Sequence, residues 1–276
     1  NCSSTHNVSA FALGLFICLG MFVSYLPQHY KIIRSGTSEG FNPWFLLLGC
    51  LGSWSNVINI VLLQWNVIGC CSIVTFGACI EHILGIIQIV IQWMMFIIVF
   101  ILFLIYFPVR KRYVQRIRLP LDDEQNDDEG ADEGEEADVP ATHPLELSNE
   151  WRTSLYIAGA VAVHFAITFI TSVVLLSSNG AQHPETRQWA GVLGVFSMLV
   201  ATIQYLPQIW TTWCAKTVGA LSIPMMLIQT PGSFIFVYTL ASREGTNWTT
   251  WITYLVSGSL QGVLLAMCIV WHQREQ

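Results

Sequence analysis

The stretch Tyr25-Leu26-Pro27-Gln28 occurs a second time in this chain as Tyr205-Leu206-Pro207-Gln208. In both copies a Gly-Ser pair follows at the same distance, as Gly52-Ser53 and as Gly232-Ser233. Apolar segments share Leu and Val through composition alone, but composition does not produce an unbroken tetrapeptide with a matching pair at a fixed distance. The chain therefore contains an internal duplication, which also pairs Thr37 with Thr217 and Gln88 with Gln261.

Long apolar stretches surround these motifs. The chain is 53% hydrophobic and 11% charged, whereas an average soluble domain has roughly 25% charged residues. The stretches are apolar on all sides, unlike the helices of a soluble protein, and each has the length of about 20 residues that a bilayer requires. We predict seven transmembrane helices, over residues 8–26, 41–63, 82–107, 152–176, 188–206, 221–240 and 249–270.

The duplication and the odd number of helices together predict the architecture. Three helices leave the chain on the far side of the membrane, so a second copy in the same orientation needs one extra crossing, which the unpaired segment 152–176 supplies. The predicted fold is an all-α membrane protein with seven helices in a 3+1+3 arrangement of two parallel repeats. Its parts are a first repeat (1–107), a cytosolic acidic linker (108–150), a linker helix (151–180) and a second repeat (181–276).

The charged residues predict the orientation. Eleven of the 18 acidic residues lie within 122–138, a run with almost no hydrophobic residues that should be disordered. Basic residues near the predicted spans, such as Lys31, Arg34 and the group at 110–118, lie almost all on one side. That side is predicted to be cytosolic, with the N-terminus lumenal and the C-terminus cytosolic. An eighth span within 67–107 would place the basic group at 110–118 on the opposite side of the membrane from Lys31 and Arg34. Seven spans are therefore favoured.

Two further signals belong to the predicted lumenal side. Three Asn-x-Ser/Thr acceptors, Asn1, Asn7 and Asn247, all lie there and are predicted to be glycosylated. Cys2, Cys70 and Cys71 lie on the same side. One disulfide among the three is conceivable, but an odd number of cysteines leaves the pairing open.

The two Pro-Gln units resemble the PQ-loop repeat family, which includes lysosomal and vacuolar amino-acid exporters, cystinosin and the SWEET sugar transporters. Residues 26–56 and 206–222 carry the resemblance, which covers nearly all of the chain except 108–150. It implies a secondary transporter that moves a small polar solute, first of all an amino acid, across a vacuolar or lysosomal membrane by alternating access. A SWEET-like sugar uniporter, a seven-helix receptor and a lipid-pathway factor are the alternatives.

The Pro-Gln pairs themselves are candidate hinges. A proline removes a backbone donor and kinks or ends a helix, and the side chains of Gln28 and Gln208 could satisfy the carbonyl groups that Pro27 and Pro207 leave free. The alternative is a fixed helix end followed by a turn. Because the two pairs occupy equivalent positions in the repeats, the hinge is favoured.

Polar residues at membrane depth are the candidates for the substrate path. An unpaired amide in hydrocarbon is costly, so each must bind another helix, water or the solute. We expect the repeat-related Gln88 and Gln261 to face each other across the path, with Tyr205 and Trp54 as an aromatic wall. The predicted path residues are Ser53, Asn56, Gln88, Gln92, Tyr205, Gln229, Ser233 and Gln261.

The source of any proton coupling stays open in the sequence. The long linker resembles the vacuolar cationic amino-acid branch, yet the Asp that this branch has in the second helix is replaced by Ser53, and by Ser233 in the second repeat. Glu81, near the lumenal interface, and His164, on the linker helix away from the path, are the candidate proton carriers.

Several classes of function have no support in the residues. No nucleophile-base arrangement, phosphate loop or metal-ligand spacing is present, so we expect no enzyme, cofactor or metal site. A continuous basic surface with interleaved aromatic residues is also missing, which excludes nucleic-acid binding. The predicted partners are a small polar solute and membrane lipids, and the sequence leaves the oligomeric state open.

Overall fold

The computed structural model describes residues 8–38, 43–114, 146–216, 223–242 and 246–275. Between α4 and α5, two short strands, β1 (Tyr113–Val114) and β2 (Glu146–Leu147), pair antiparallel. The acidic run at 122–138 lies outside the described residues. The helices are α1 (Val8–Ser35), α2 (Pro43–Leu63), α3 (Trp65–Cys70), α4 (Phe76–Ile105), α5 (Asn149–Asn179), α6 (Pro184–Ala215), α7 (Ile223–Ala241) and α8 (Trp248–Glu275).

Within the described residues, six helices are long and apolar enough to cross a membrane, namely α1, α2, α4, α5, α6 and α8. The structure thus confirms a helical multi-pass membrane architecture. The sixth predicted span corresponds to α7, which has 19 residues and a shorter apolar part, Met226–Ala241. At 1.5 Å per residue α7 is about 28 Å long. The seven-span 3+1+3 arrangement stays a prediction.

Helices α1 and α6 do not end at the Pro-Gln pairs. The spans were predicted to end at residues 26 and 206, whereas the helices continue for about two and a half turns, to Ser35 and Ala215. A proline removes only one hydrogen bond, and local adjustments in membrane helices satisfy the freed group. The side chains of Pro207 and Gln208 lie outside the described residues.

The true ends of α1 and α6 again show the duplication. Gly36 follows α1 and Lys216 follows α6, and both have left-handed backbone, with φ of 62° and 52°. The amide of Gly36 donates to the carbonyl of Ile32, and that of Lys216 donates to the carbonyl of Thr212. The shift that superimposes the Pro-Gln pairs also superimposes these two helix ends. Left-handed termini of this kind are a common way to end a helix.

The helices pack as two groups of three. In the first group α4 packs against α1 and α2, and in the second α8 packs against α6 and α7. The two groups meet chiefly where α2 lies against α6. Helix α5 packs mainly on α2, where the indole Nε1 of Trp54 donates to Thr168 Oγ1 at 2.8 Å. The linker helix is therefore attached to the first group.

The stretch before α4 differs from its prediction. Helix α4 begins at Phe76 rather than at residue 82, so one continuous helix occupies the segment that an eighth span would have needed to share. Glu81 lies in the second turn of this helix. The disulfide partners also differ, because Cys71 is bonded to Cys79, a residue that the sequence interpretation left out. Cys70 is disulfide-bonded as well, and Cys2 lies outside the described residues.

Two ends of the bundle can now be defined. The disulfide end carries Cys71 and Cys79, and the Pro-Gln end carries the final turns of α1 and α6. Asn247 lies at the disulfide end, where its Oδ1 accepts a hydrogen bond from the backbone amide of Thr249 at 3.1 Å. Its glycosylation stays a prediction, and Asn1 and Asn7 lie outside the described residues.

Candidate functional site

A cavity of about 270 Å³ lies between the two groups of helices. Its walls come from α1, α2, α4, α6, α7 and α8, and among the described lining residues none belongs to the linker helix α5. Gln28 and Gln204 line it towards the Pro-Gln end, and Asn56 and Tyr254 line it in the middle of the bundle. All three long helices of each repeat therefore contribute to one shared space.

Most of the predicted path residues line this cavity. Tyr205 and its repeat equivalent Tyr25 both do so, which places the residue before each Leu-Pro-Gln at the site. Sequence reasoning missed Ser197, Gln204 and Thr253, although each is a polar residue within a predicted span. The predicted residues that line the cavity are Gln28, Ser53, Asn56, Gln92, Tyr205 and Gln229.

The expected meeting of Gln88 and Gln261 is wrong. Gln88 Nε2 donates to the carbonyl of Gly14 in α1 at 2.9 Å. Gln261 Nε2 donates to Gln229 Oε1 in α7 at 2.8 Å. Each side chain thus bonds inside its own group of helices, because a partner was available on the adjacent helix. Ser233 behaves similarly, since its Oγ donates to the carbonyl of Thr230 at 2.7 Å.

The aromatic wall also differs from the expectation. Trp54 points to the linker helix, where its ring lies 4.8 Å from that of Phe165, and it also lies 5.0 Å from the ring of Trp93 in α4. Tyr205 lines the cavity as expected, and the rest of the aromatic lining comes from Tyr25, Phe45, Phe96 and Tyr254. The sequence signal for an aromatic residue near the path was sound, but it did not distinguish the two sides of α2.

Three buried polar atoms of the cavity wall have no hydrogen-bond partner in the described part of the chain. They are Asn56 Oδ1 from α2, Gln92 Oε1 from α4 and Ser197 Oγ from α6. The side chains of Asn56 and Ser197 are each 1% exposed. Buried polar atoms are nearly always hydrogen-bonded in proteins, so these three are the groups that a bound solute, or water in its place, would satisfy.

Beyond the cavity, hydrogen bonds join the two groups towards the disulfide end. Asn59 Nδ2 donates to the carbonyl of Ala190 at 2.7 Å and to Thr249 Oγ1 at 3.1 Å. Thr250 Oγ1 donates in turn to Asn59 Oδ1 at 2.8 Å. One turn nearer the middle, Asn56 Nδ2 donates to Tyr254 OH at 2.9 Å. These bonds connect α2 to α6 and α8, so the disulfide end of the interface is closed.

The described residues that line the cavity include no Asp, Glu, Lys, Arg or His. Glu81 is not among the lining residues, and His164 makes a contact behind the cavity, where its Nε2 lies 3.0 Å from Ser55 Oγ. Sequence reasoning considered only Glu81 and His164 as candidate proton carriers. His29 is also buried, and its Nε2 lies 3.1 Å from the carbonyl oxygen of Met95. It was missed because it follows the Pro-Gln pair, where the helix was expected to end.

Metal binding finds no support in the part of the chain that is described. No three His, Cys, Asp or Glu side chains come together there. The chemistry that remains available at the cavity is neutral hydrogen bonding through amides and hydroxyls, together with contact against aromatic rings.

Comparison with known proteins agrees with this geometry. The PQ loop repeat matches the chain twice, over residues 9–69 and 189–248, which include α1 and α2 in the first group and most of α6 and α7 in the second. An uncharacterized protein of Schizosaccharomyces pombe is 33% identical over 272 residues, which are 97% of this chain and 82% of that protein. The chain is therefore a multi-pass membrane protein that belongs to the PQ-loop repeat family.

Proposed function

We propose that this protein is a secondary transporter that carries a small polar solute without net charge across a vacuolar or lysosomal membrane. Membership in the PQ-loop repeat family indicates a transporter-like protein. The observation that carries the proposal is the cavity between the two repeats, which has polar and aromatic walls at membrane depth and belongs to neither repeat alone. Transporters with internal repeats have their substrate sites at such repeat interfaces.

The proposed topology is the 3+1+3 plan with seven spans. Helix α7 spans the membrane in this proposal, because its length of about 28 Å is close to the hydrocarbon thickness of ~30 Å. The Cys71–Cys79 disulfide supports a lumenal disulfide end, since disulfides form in oxidising compartments. The bias of Lys and Arg towards the Pro-Gln end supports a cytosolic location of that end.

In the proposed cycle, the two ends of the cavity close in turn, so that only one end is open at a time. In the state described here, the bonds of Asn59 close the lumenal side while the cavity extends towards Gln28 and Gln204. To release solute to the lumen, these bonds must break and the Pro-Gln ends of α1 and α6 must approach each other. Transport then consists of a movement of one repeat against the other about the central cavity.

A cationic amino acid is a poor fit to this site. A buried cation needs a charged partner, and the described cavity residues include no carboxylate. The amino-acid hypothesis therefore narrows to zwitterions, and a neutral sugar fits the same walls. The receptor and the lipid-pathway factor are less well supported, because neither requires a cavity shared by two repeats.

The test is uptake by the purified full chain in proteoliposomes, with and without a pH gradient. Ala201 lines the cavity from α6 and is 9% exposed, so Ala201→Phe should fill the cavity and abolish flux. Ala166 lies exposed on the linker helix, and Ala166→Phe is the matched control that should transport normally. Equal flux through both variants, with normal folding by gel filtration, would exclude the cavity as the path. Absence of any flux in the unmodified protein would favour the receptor or the lipid-pathway factor.

A further inference from the structure

We propose that Asn56 and Gln92 form a pair of hydrogen-bond acceptors that selects an uncharged, multiply hydroxylated solute. The proposal rests on the proposed transport function and names its substrate class and its specificity-determining residues. It starts from the unpartnered atoms of the cavity wall.

The orientation of Asn56 is set by a neighbour. Its Nδ2 donates to Tyr254 OH at 2.9 Å, which uses the donor side of the amide and leaves Oδ1 available to another partner. Oδ1 is buried and has no partner within the described residues. An amide held in this way can accept a hydrogen bond from a solute, and its geometry is already fixed before binding.

Gln92 and Ser197 complete the arrangement from two other helices. Gln92 Oε1 on α4 is a second buried acceptor without a partner in the described chain, and Ser197 Oγ on α6 is a buried hydroxyl in the same situation. Ser197 faces α2 at Gly52, where an added methyl group would lie 3.7 Å from its Oγ. Because Gly52 is one helical turn from Asn56, the hydroxyl and the first acceptor lie on neighbouring parts of the wall.

The other described lining residues carry no charged side chain, and several of them offer apolar surface to a solute. Two neutral acceptors and one hydroxyl suit solute hydroxyl groups, which donate without carrying charge. A cationic side chain would be left without a counter-charge, and a zwitterion would bring two charged groups, because the described lining residues include no Asp, Glu, Lys, Arg or His. An uncharged solute needs no ionic partner and therefore fits these walls better than either. Tyr25, Phe96 and Tyr205 supply aromatic surface for the C–H faces of such a solute. The volume of about 270 Å³ lies near the lower end of the range of about 300–1,000 Å³ that small-molecule pockets have, which suits a small solute.

The test measures uptake and binding of four probes by the full chain: D-glucose, myo-inositol, L-glutamine and L-lysine. We expect at least one of the two hydroxylated probes to be transported, and neither L-glutamine nor L-lysine. Gln92→Met keeps the length of the side chain without its acceptor, and Asn56→Leu does the same in α2. Each should weaken binding of the hydroxylated probe about tenfold, as the loss of one hydrogen bond predicts, measured by the shift in melting temperature of the purified protein with increasing solute.

Gln88→Met is the matched control. Gln88 lies one turn from Gln92 on the same helix and also has a buried Oε1 without a described partner, but it bonds to Gly14 and does not line the cavity. Its variant should change stability and leave the relative uptake of the four probes unaltered. Gln92→Glu is the second variant, because a carboxylate at this position should allow L-lysine to enter where the unmodified protein rejects it.

The outcomes separate this inference from the transport function. Transport of L-glutamine or L-lysine with rejection of both hydroxylated probes would overturn the inference and leave the transporter intact. So would a Gln92→Met variant that folds and binds the hydroxylated probe as tightly as the unmodified protein. If the unmodified protein transports no solute, or if Ala201→Phe transports as fast as the unmodified protein, the proposed function fails together with the inference.

Discussion

Asn59 shows how a single polar residue can close one end of this bundle. Its side chain has no exposed surface, and it bonds to the carbonyl of Ala190 and to the hydroxyls of Thr249 and Thr250. The approach of α6 that these bonds need depends on Gly194. A side-chain carbon at Gly194 would lie 2.8 Å from Asn59 Nδ2 and 2.7 Å from the carbonyl oxygen of Thr249. The closed disulfide end therefore depends on the absence of a side chain at this position.

Replacement of Gly194 by alanine tests this dependence. The added methyl group overlaps the backbone of α8 as well as Asn59, so α6 and α8 must separate. We expect Gly194→Ala to destabilise the protein by about 2 kcal/mol, as overpacking does in other cores, and to lower its melting temperature in detergent.

Gly191 provides the control on the same helix. An alanine there meets nothing within 4 Å, so Gly191→Ala should raise stability slightly, by about 0.5 kcal/mol, through its better helix propensity. If both variants have the melting temperature of the unmodified protein, the close contact at Gly194 is not part of the folded state.

At the scale of the residue, the sequence predicts that a buried amide needs a partner but does not identify the partner. Asn56 and Gln88 look alike in the sequence, as amides in apolar surroundings. In the structure both amide nitrogens donate, that of Gln88 to a carbonyl on α1 and that of Asn56 to Tyr254 OH, and both amide oxygens are buried without a partner in the described chain. Only Asn56 lines the cavity. The difference depends on which distant helix lies next to each residue, and periodicity within one helix contains no information about that.

At the scale of the element, α1 and α6 are long helices with a proline inside rather than helices that stop at a proline. Pro27 lies within Val8–Ser35, and Gln28 beside it lines the cavity. Each proline weakens the backbone ladder at one point, close to the part of the cavity that must close in the proposed cycle. This position supports the hinge, now in the interior of a continuous helix.

The hinge can be tested with a double variant, Pro27→Ala and Pro207→Ala. Alanine restores the missing backbone donor in both helices, so the variant should be at least as stable as the unmodified protein. We expect its transport rate to fall about tenfold, because hinge substitutions alter the conformational step. The measurement is initial uptake of the transported solute, with the melting temperature recorded on the same samples.

Pro184→Ala is the control for this pair. Pro184 lies in the first turn of α6, where a proline costs the helix no hydrogen bond, so its variant should transport at the normal rate. A double variant that transports as fast as this control would show that the two prolines are structural and not hinges.

Hydropathy predicted which segments form helices more accurately than where the helices end. The predicted span 8–26 stopped at the edge of the apolar stretch, whereas α1 continues to Ser35 because its final turns need no apolar environment. The early start of α4 at Phe76 has another reason. The apolar residues 76–80 continue into the helix across Glu81 and His82, the polar pair at which the predicted span began. The true end of α6 is a left-handed Lys216. Composition does not mark a lysine as a helix terminator, and only its alignment with Gly36 through the repeat points to this position.

At the scale of the whole molecule, the two ends of the bundle carry natural probes of their location. Cys71 and Cys79 form a disulfide at one end, and Cys214, in the last turn of α6, is free and exposed at the other. Three helices, α4, α5 and α6, separate Cys79 from Cys214, so the two sites lie on opposite sides if all three cross. Cys50 and Cys268 are buried and should not react.

A membrane-impermeant maleimide tests this topology in sealed organelles. We expect Cys214 to be labelled from the cytosol, and Cys71 and Cys79 only after reduction and only once the lumen is opened. Cys214→Ser should abolish the cytosolic signal and serve as the background for a second probe, Ser242→Cys, placed in the exposed turn after α7. If α7 crosses, this new cysteine reacts only from the lumen, because α7 then carries the chain from the cytosolic end of α6 to the lumenal side. Cytosolic labelling of Ser242→Cys would show that α7 does not cross the membrane. The two repeats would then have unequal numbers of spans, and the proposed movement of two equivalent units would be excluded.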